Sequence, residues 1–331
     1  MMPRTVGRLA PAGLLLALLA LHACGEREML GPMEATVMPT GWAPRAPMPT
    51  ARGRLAVSVV NGVLYVLGGE AAFGVPLATV EAYTPGNDRW TAKTPLPSAR
   101  SHLNVGVIGN VIYAAGGLDA SGQPTTTLFA YDARTDTWTS KASMSTAGAC
   151  GASGVIEGRL YVFTTDCGQS VFGADPAFRR YDPATDSWTA LTLPTWGHYL
   201  PAGGAIGGKF YLAGGLFDTS DPIGNIGQNV EAYDPATDTW TTRAKAPFVR
   251  YQDAGAVLNG LLYVVGGGTG TDFVAGLDVY NPRTDTWRTL NDMPTARGFL
   301  GAAALGGKLY ALGGVTLDGS VAVNEVYTPH Q

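Results

Sequence analysis

Six times along the chain an apolar run ends in a pair of small residues, and a tight-turn pair precedes each run at a fixed distance. The small pairs are Gly68-Gly69, Gly116-Gly117, Thr164-Thr165, Gly214-Gly215, Gly266-Gly267 and Gly313-Gly314. Three positions before each stands a tyrosine: Tyr65, Tyr113, Tyr161, Tyr211, Tyr263 and Tyr310. Seven positions before each lie Asn61-Gly62, Gly109-Asn110, Glu157-Gly158, Gly207-Gly208, Asn259-Gly260 and Gly306-Gly307. Asn-Gly and Gly-Gly accept the positive φ that two-residue hairpins require, so each turn pair predicts two antiparallel strands.

A second signature follows in each unit, a Tyr with Trp seven residues on: Tyr83/Trp90, Tyr131/Trp138, Tyr181/Trp188, Tyr233/Trp240 and Tyr280/Trp287. Segments such as Asp234-Pro235-Ala236-Thr237-Asp238 lie between them and suit a turn, so a third and a fourth strand follow. Four strands in roughly 50 residues is the size of one propeller blade. The sixth unit ends at Tyr327 with no Trp after it. Trp42, however, precedes Asn61 by 19 residues, the interval that separates every later Trp of the series from the next turn pair. The predicted fold is therefore all-β, a six-bladed ring over residues 40–331 in which the N-terminal strand near Trp42 completes the last blade.

Double Gly after an apolar strand, then Tyr, then Trp, at a period near 50 and in register six times, resembles the kelch-repeat family. The resemblance implies a six-bladed β-propeller whose first strands line a central channel. Blade three departs from it, with Thr164-Thr165 for Gly-Gly and Arg179 where other blades carry Glu81, Glu231 or Glu325.

The interval from the small pair to the second Tyr varies from 14 to 19 while the others are constant, so all length change falls in one loop per blade, between the second and third strands. These loops mark one edge of the ring as a binding face. The first strands start at that same edge. Sixteen positions before the small pair stand Arg52, Arg100, Gly148, His198, Arg250 and Arg297; fourteen before it stand Arg54, His102, Cys150, Leu200, Gln252 and Phe299. The two sets are expected to share a strand face. From them Arg54, His102, His198, Arg250, Gln252, Arg297 and Phe299 are the candidate ligand-binding residues, with Trp196, Tyr199 and Tyr251 as stacking surfaces and Phe217, Asp218 and Asp221 in the longest loop. Arg and aromatic rings suit a carboxylated or polyhydroxylated ligand. Arg at the first position also belongs to the kelch pattern, where it satisfies loop carbonyls. The recurrent Tyr and Trp read as packing, and Glu81, Glu231 and Glu325 are expected at the opposite edge, solvated or bonded to backbone.

The chain begins with an export signal over residues 1–23, with Arg4 and Arg8 at its head and an apolar core at residues 14–21. That core is too short to span a bilayer, which takes roughly 20 residues. Leu21-His22-Ala23-Cys24 resembles the bacterial lipobox, His22 being the departure, and Cys24 would carry the lipid. The alternative is an ordinary secretory signal. Residues 24–39 read as a tether. The expected location is the cell envelope, lipid-anchored to a bacterial membrane at the periplasm or cell surface, or otherwise secreted.

Removing the signal leaves 20 Lys and Arg against 26 Asp and Glu, a formal charge of -6 with no basic block, which argues against nucleic acid. Cys150 and Cys167 flank the hairpin at Glu157-Gly158 and can pair as a disulfide or stand as separate thiols. No Cys/His cluster of ligand spacing accompanies them, so no metal is expected. No HExxH, GxSxG, P-loop or dinucleotide fingerprint is present, and no cofactor is expected. Two functions stay open. One is a monomeric, noncatalytic binding module for protein or carbohydrate. The other is a sugar-processing enzyme similar to the N-acetylneuraminate epimerases (sialic acid mutarotases), which share a six-bladed kelch ring; catalytic residues are not assignable from motifs, and fold alone does not choose.

Overall fold

The computed structural model describes residues 41–165, 167, 176–215, 226–269 and 271–329. Residues 1–40, with the signal, Cys24 and the tether, lie outside the described residues, as do Phe217, Asp218 and Asp221. No helix among the described residues is long and apolar enough to cross a membrane.

Six four-stranded antiparallel sheets are the blades, five of them built in chain order from the channel outward. Blade one has Ala56–Val60, Val63–Leu67, Val80–Thr84 and Arg89–Lys93. The innermost strands of the others are Asn104–Ile108, Ala149–Ile156, Ala202–Ile206, Ala254–Leu258 and Gly301–Leu305. Each innermost strand touches those of the two neighbouring blades, and the last touches the first, so the strands form a ring. The turn pairs sit where the sequence pattern places them, with Asn61 at φ 50° and Gly62 at φ 77° in the first hairpin.

The sixth blade is made from both ends of the chain. Trp42–Pro44 pairs antiparallel with Asn324–Tyr327, Trp42 facing Tyr327. Their rings lie 5.3 Å apart, and the Trp42 indole N–H donates to the Asn291 carbonyl of blade five at 3.0 Å.

Apolar cores fill the wedges between successive blades. Leu67, Val80 and Ala82 of blade one meet Ile112, Ala114 and Tyr131 of blade two, and the other wedges repeat the pattern. The small pair sits at the crowded end of each wedge. A Cβ on Gly116 would stand 2.1 Å from the Gly148 carbonyl oxygen, so the backbones approach closely only because no side chain intervenes.

The Tyr and Trp of the second signature hold neighbouring blades together. In blade two, Asp136 accepts from the Tyr131 hydroxyl and from the Thr94 backbone N–H, while the Trp138 indole donates to the Thr94 carbonyl. One residue of blade one is thereby gripped on both sides of its backbone. The same grip recurs at Ala46, Ala142, Thr192 and Ala244. The Asp in each takes a left-handed φ near 50°, which Asp tolerates better than most residues.

Candidate functional site

The two residue sets do not share a strand face. Five of the six innermost strands begin two residues after the second set, and all six members of that set have φ between 52° and 62°. This left-handed kink separates the sets: the first turns into the blade and the second turns toward the channel mouth.

The first set is internal. Arg52 bonds Glu81 at 2.7 Å and Arg297 bonds Glu325 at 2.6 Å, with both guanidinium groups fully buried. Arg297 also donates to the carbonyls of Ala311, Gly313 and Thr295. Arg250 pairs with Asp278 at 3.0 Å and donates to the Val264 carbonyl. His198 takes the same place in blade four, its ring nitrogens facing the Gly214 carbonyl at 2.8 Å and Glu231 at 3.2 Å. Burial alone would raise the Glu231 carboxyl, but hydrogen bonds from His198, Trp196 and Thr195 hold it below its ordinary value. Blade three swaps the arrangement: Gly148 vacates the position, and Arg179 reaches in from the third strand to the Thr146 carbonyl and hydroxyl.

His198, Arg250 and Arg297 are therefore corrected from ligand-binding candidates to buried structural residues. Glu81, Glu231 and Glu325 are corrected too, since they are buried ion-pair partners rather than solvated groups at the far edge. The reason is strand direction. The third strand starts at the loop edge, so a residue at its second position, such as Glu81 in Val80–Thr84, lies level with the arginine.

The second set converges on one mouth. Arg54, His102, Cys150, Leu200, Gln252 and Phe299 line a cavity of about 100 Å³, and the residues that follow them complete the lining: Leu55, Leu103, Gly151, Pro201, Asp253 and Leu300. Backbone hydrogen bonds tie the mouth into a girdle, from Arg54 N–H to the Phe299 carbonyl (2.8 Å), His102 to Arg54 (2.9 Å), Gln252 to Leu200 (3.3 Å) and Phe299 to Gln252 (2.8 Å). The positive φ is thus a property of the architecture, kept whichever side chain stands there. A channel of about 440 Å³ is lined by the innermost strands, mainly by small and β-branched residues such as Gly106, Gly204, Val257 and Ala303.

Arg54 is the polar centre of the mouth. Its guanidinium bonds Glu70 at 3.2 Å and lies between two rings, 4.9 Å from Phe73 and 4.2 Å from Phe299. Phe73 is 86% exposed, so the outer ring of this stack is open to a ligand. His102 meets Phe299 edge to face at 5.9 Å. Burial and the nearby Arg54 charge push the His102 imidazole down to about 3, which keeps it neutral at physiological pH. Of the expected stacking surfaces, Trp196 is 47% exposed, whereas the Tyr199 hydroxyl is spent on the Cys167 carbonyl and Tyr251 is bound by its backbone to Gly268.

Cys150 and Cys167 are joined by a disulfide with Cα atoms 5.3 Å apart. No cluster of ligand spacing along the chain accompanies these cysteines, but in space His102, from the neighbouring blade, brings a ring nitrogen within 4.8 Å of both sulfurs. The ring geometry makes a cluster that spacing along the chain does not show. Because the sulfurs are bonded to each other, they present no thiolate to an ion.

Sequence reasoning missed Glu70, Phe73 and Asp253. Asp253 is the sharpest omission, because it stands where other blades place Leu55, Leu103, Gly151, Pro201 or Leu300. Its side chain is fully buried, neither oxygen makes a well-formed hydrogen bond, and the nearest cation is Arg250 Nε at 3.5 Å. Burial pushes the carboxyl up to about 7 against the pull of Arg250. Aligning the blades from the sequence exposes this position as the one acid among apolar and small residues.

A six-bladed β-propeller with a girdled mouth at its loop edge is thus the class of this molecule. Four segments, residues 51–97, 99–145, 198–246 and 254–294, match the family described as Kelch motif and together cover more than half of the chain. The chain belongs to the kelch family. The unmatched units are blade three, with its Thr-Thr pair and swapped arginine, and blade six, which is split between the chain ends. Among solved structures, that of YjhT is similar at a TM-score of 0.72 and 16% identity, covering 86% of this chain and 97% of that one, a likeness of fold. No curated protein matches the sequence.

Proposed function

We propose that this protein is an exported, lipid-anchored kelch propeller that acts as a binding module for a protein or glycan held at the mouth of its loop face. One observation carries the reading: on a frame that repeats closely, a position that all six blades bring to the mouth carries a different residue type in every blade. A structural requirement would repeat the same residue, as the buried Arg-acid pairs nearly do. Arg54, His102, Gln252 and Phe299 remain as the ligand-facing candidates. The lipid on Cys24 would hold this face near a membrane surface without a spanning segment.

The test is a glycan and sialic acid panel against the purified protein by thermal shift, repeated with Arg54→Ala and His102→Ala. Saturable stabilisation that weakens at least tenfold in the variants supports the mouth as the site; equal responses of wild type and variants remove it.

A second reading, a sugar-processing enzyme resembling N-acetylneuraminate epimerase, is favoured by one feature. A carboxyl titrating near neutrality lines the cavity, as general acid-base chemistry requires of its acid or base, with the neutral His102 imidazole beside it as a hydrogen-bonding group. Polarimetry of freshly dissolved sugar separates the readings. Acceleration of anomer interconversion that Asp253→Asn abolishes supports the enzyme, and an unaltered rate supports the binding module.

A further inference from the structure

Asp253 breaks the frame it sits in. At the equivalent position three blades have Leu, one has Pro and one has Gly. A buried carboxyl whose cation, Arg250 Nε, stands off at 3.5 Å with no well-formed hydrogen bond opposes folding, whereas leucine there fits the pattern. The residue therefore stands at a cost to stability, and it lines the mouth cavity with two buried oxygens that lack good donors.

The charges around it define what can meet it. Arg54 is committed to Glu70 and Arg250 to Asp278, with Asp253 as its more distant second partner, while Arg52 and Arg297 are sealed inside their own ion pairs. A carboxylated ligand entering the mouth faces Asp253 with Arg54 and Arg250 already paired. An ammonium ligand meets the Arg54 guanidinium in the lining. A hydroxyl group suits both states of Asp253, donating to the carboxylate or accepting from the carboxylic acid. Gln252 adds an amide that also donates and accepts, and Phe299 and the leucines supply apolar wall for the C–H face of a sugar ring. A cavity of about 100 Å³ admits one edge of such a unit, with the remainder at the open mouth.

We propose that Asp253 anchors a neutral, hydroxyl-rich ligand unit, a single uncharged sugar residue, in the mouth of the propeller. This rests on the mouth being the binding site and adds the ligand class and the residue that selects it.

Isothermal titration of the purified protein tests it with D-glucose, D-galactose and D-mannose as neutral probes, N-acetylneuraminate as the carboxylated probe and D-glucosamine as the amine, on wild type, Asp253→Asn and Asp253→Leu. The expected result is saturable binding of at least one neutral sugar, weakened at least tenfold in Asp253→Leu although that variant melts no lower than wild type, with Asp253→Asn intermediate because its amide still donates and accepts. Binding of only the charged probes, or neutral-sugar binding unchanged in Asp253→Leu, overturns the assignment while leaving the mouth as a site. Absence of binding by every probe overturns the assignment and leaves recognition of a protein at the mouth standing. Should Asp253→Leu melt lower than wild type, the Asn variant decides: an affinity for the neutral sugar equal to wild type overturns the proposal, and a loss of threefold or more upholds it.

Discussion

Two titrating groups in the mouth are displaced by burial in opposite directions. The Asp253 carboxyl, ordinarily near 3.8, is pushed up to about 7. Its contribution is fully present below pH 3.8 and is lost as pH rises to 7. His102, ordinarily near 6.5, is pushed down to about 3, so its contribution is present above pH 6.5 and is lost as pH falls toward 3. Each swing is on the order of 4 kcal/mol, and between pH 4 and 6.5 they oppose each other. Urea unfolding at pH 4.5 and 6.5 should therefore show Asp253→Leu gaining more stability with rising pH than wild type does, and His102→Gln gaining less. Parallel slopes in all three proteins contradict the assignment. The buried ion pairs make a separate prediction. Arg297→Leu strands Glu325 and should cost about 3–5 kcal/mol in chemical denaturation, while Arg297→Leu/Glu325→Leu recovers most of it. Legibility at this scale was uneven. Counting back from the small pair found the mouth residues Arg54, His102, Gln252 and Phe299, but placed His198, Arg250 and Arg297 beside them. A strand period of two does not apply across a left-handed residue, and nothing in the local sequence announces that Arg54 or Phe299 adopts one.

The blades act as elements through the grips between them. Asp238 takes the Tyr233 hydroxyl at 2.6 Å and the Thr192 N–H at 3.1 Å, joining its own turn to the preceding blade. Burial and the Asp238 carboxylate together raise the Tyr233 hydroxyl, which stays protonated and donating. Asp238→Ala should cost about 1–2 kcal/mol, and Asp238→Asn less, because asparagine accepts the same bonds and tolerates the positive φ. Thermal unfolding of the two variants ranks them. Blade three has a covalent element as well. Its disulfide spans a sequence separation of 17, so Cys150→Ser/Cys167→Ser should lose about 3 kcal/mol, and a reducing agent should lower the wild-type melting temperature toward that of the variant. Strands, hairpins and the varying loop were all legible because turn pairs and small pairs recur at constant intervals. The partners of Glu81, Glu231 and Glu325 were not, since they depend on which end of a strand meets the loop edge.

For the whole molecule, closure is the decisive feature. Trp42 is 4% exposed, packed on Tyr327 and bonded to blade five, so Trp42→Ala should cost about 3–5 kcal/mol. Deleting residues 24–46 uncovers the edge of Asn324–Tyr327, and the product should aggregate in size-exclusion chromatography where the intact protein elutes as one species. At the membrane, Cys24→Ala should move the protein from the detergent phase to the aqueous phase of a Triton X-114 partition, the outcome expected of a lost lipid. By itself the sequence determined the number of blades, their strand order, the loop edge and the pairing of the two ends, because each follows from intervals along the chain that local backbone chemistry enforces. Only the tertiary structure decided which polar residues are consumed inside the blades and which meet at the mouth. Asp253 and Glu70 belong to that second kind, as does the approach of His102 to the disulfide: their surroundings come from different blades, and burial and electrostatic partnership are set by distances in space that no spacing along one strand encodes.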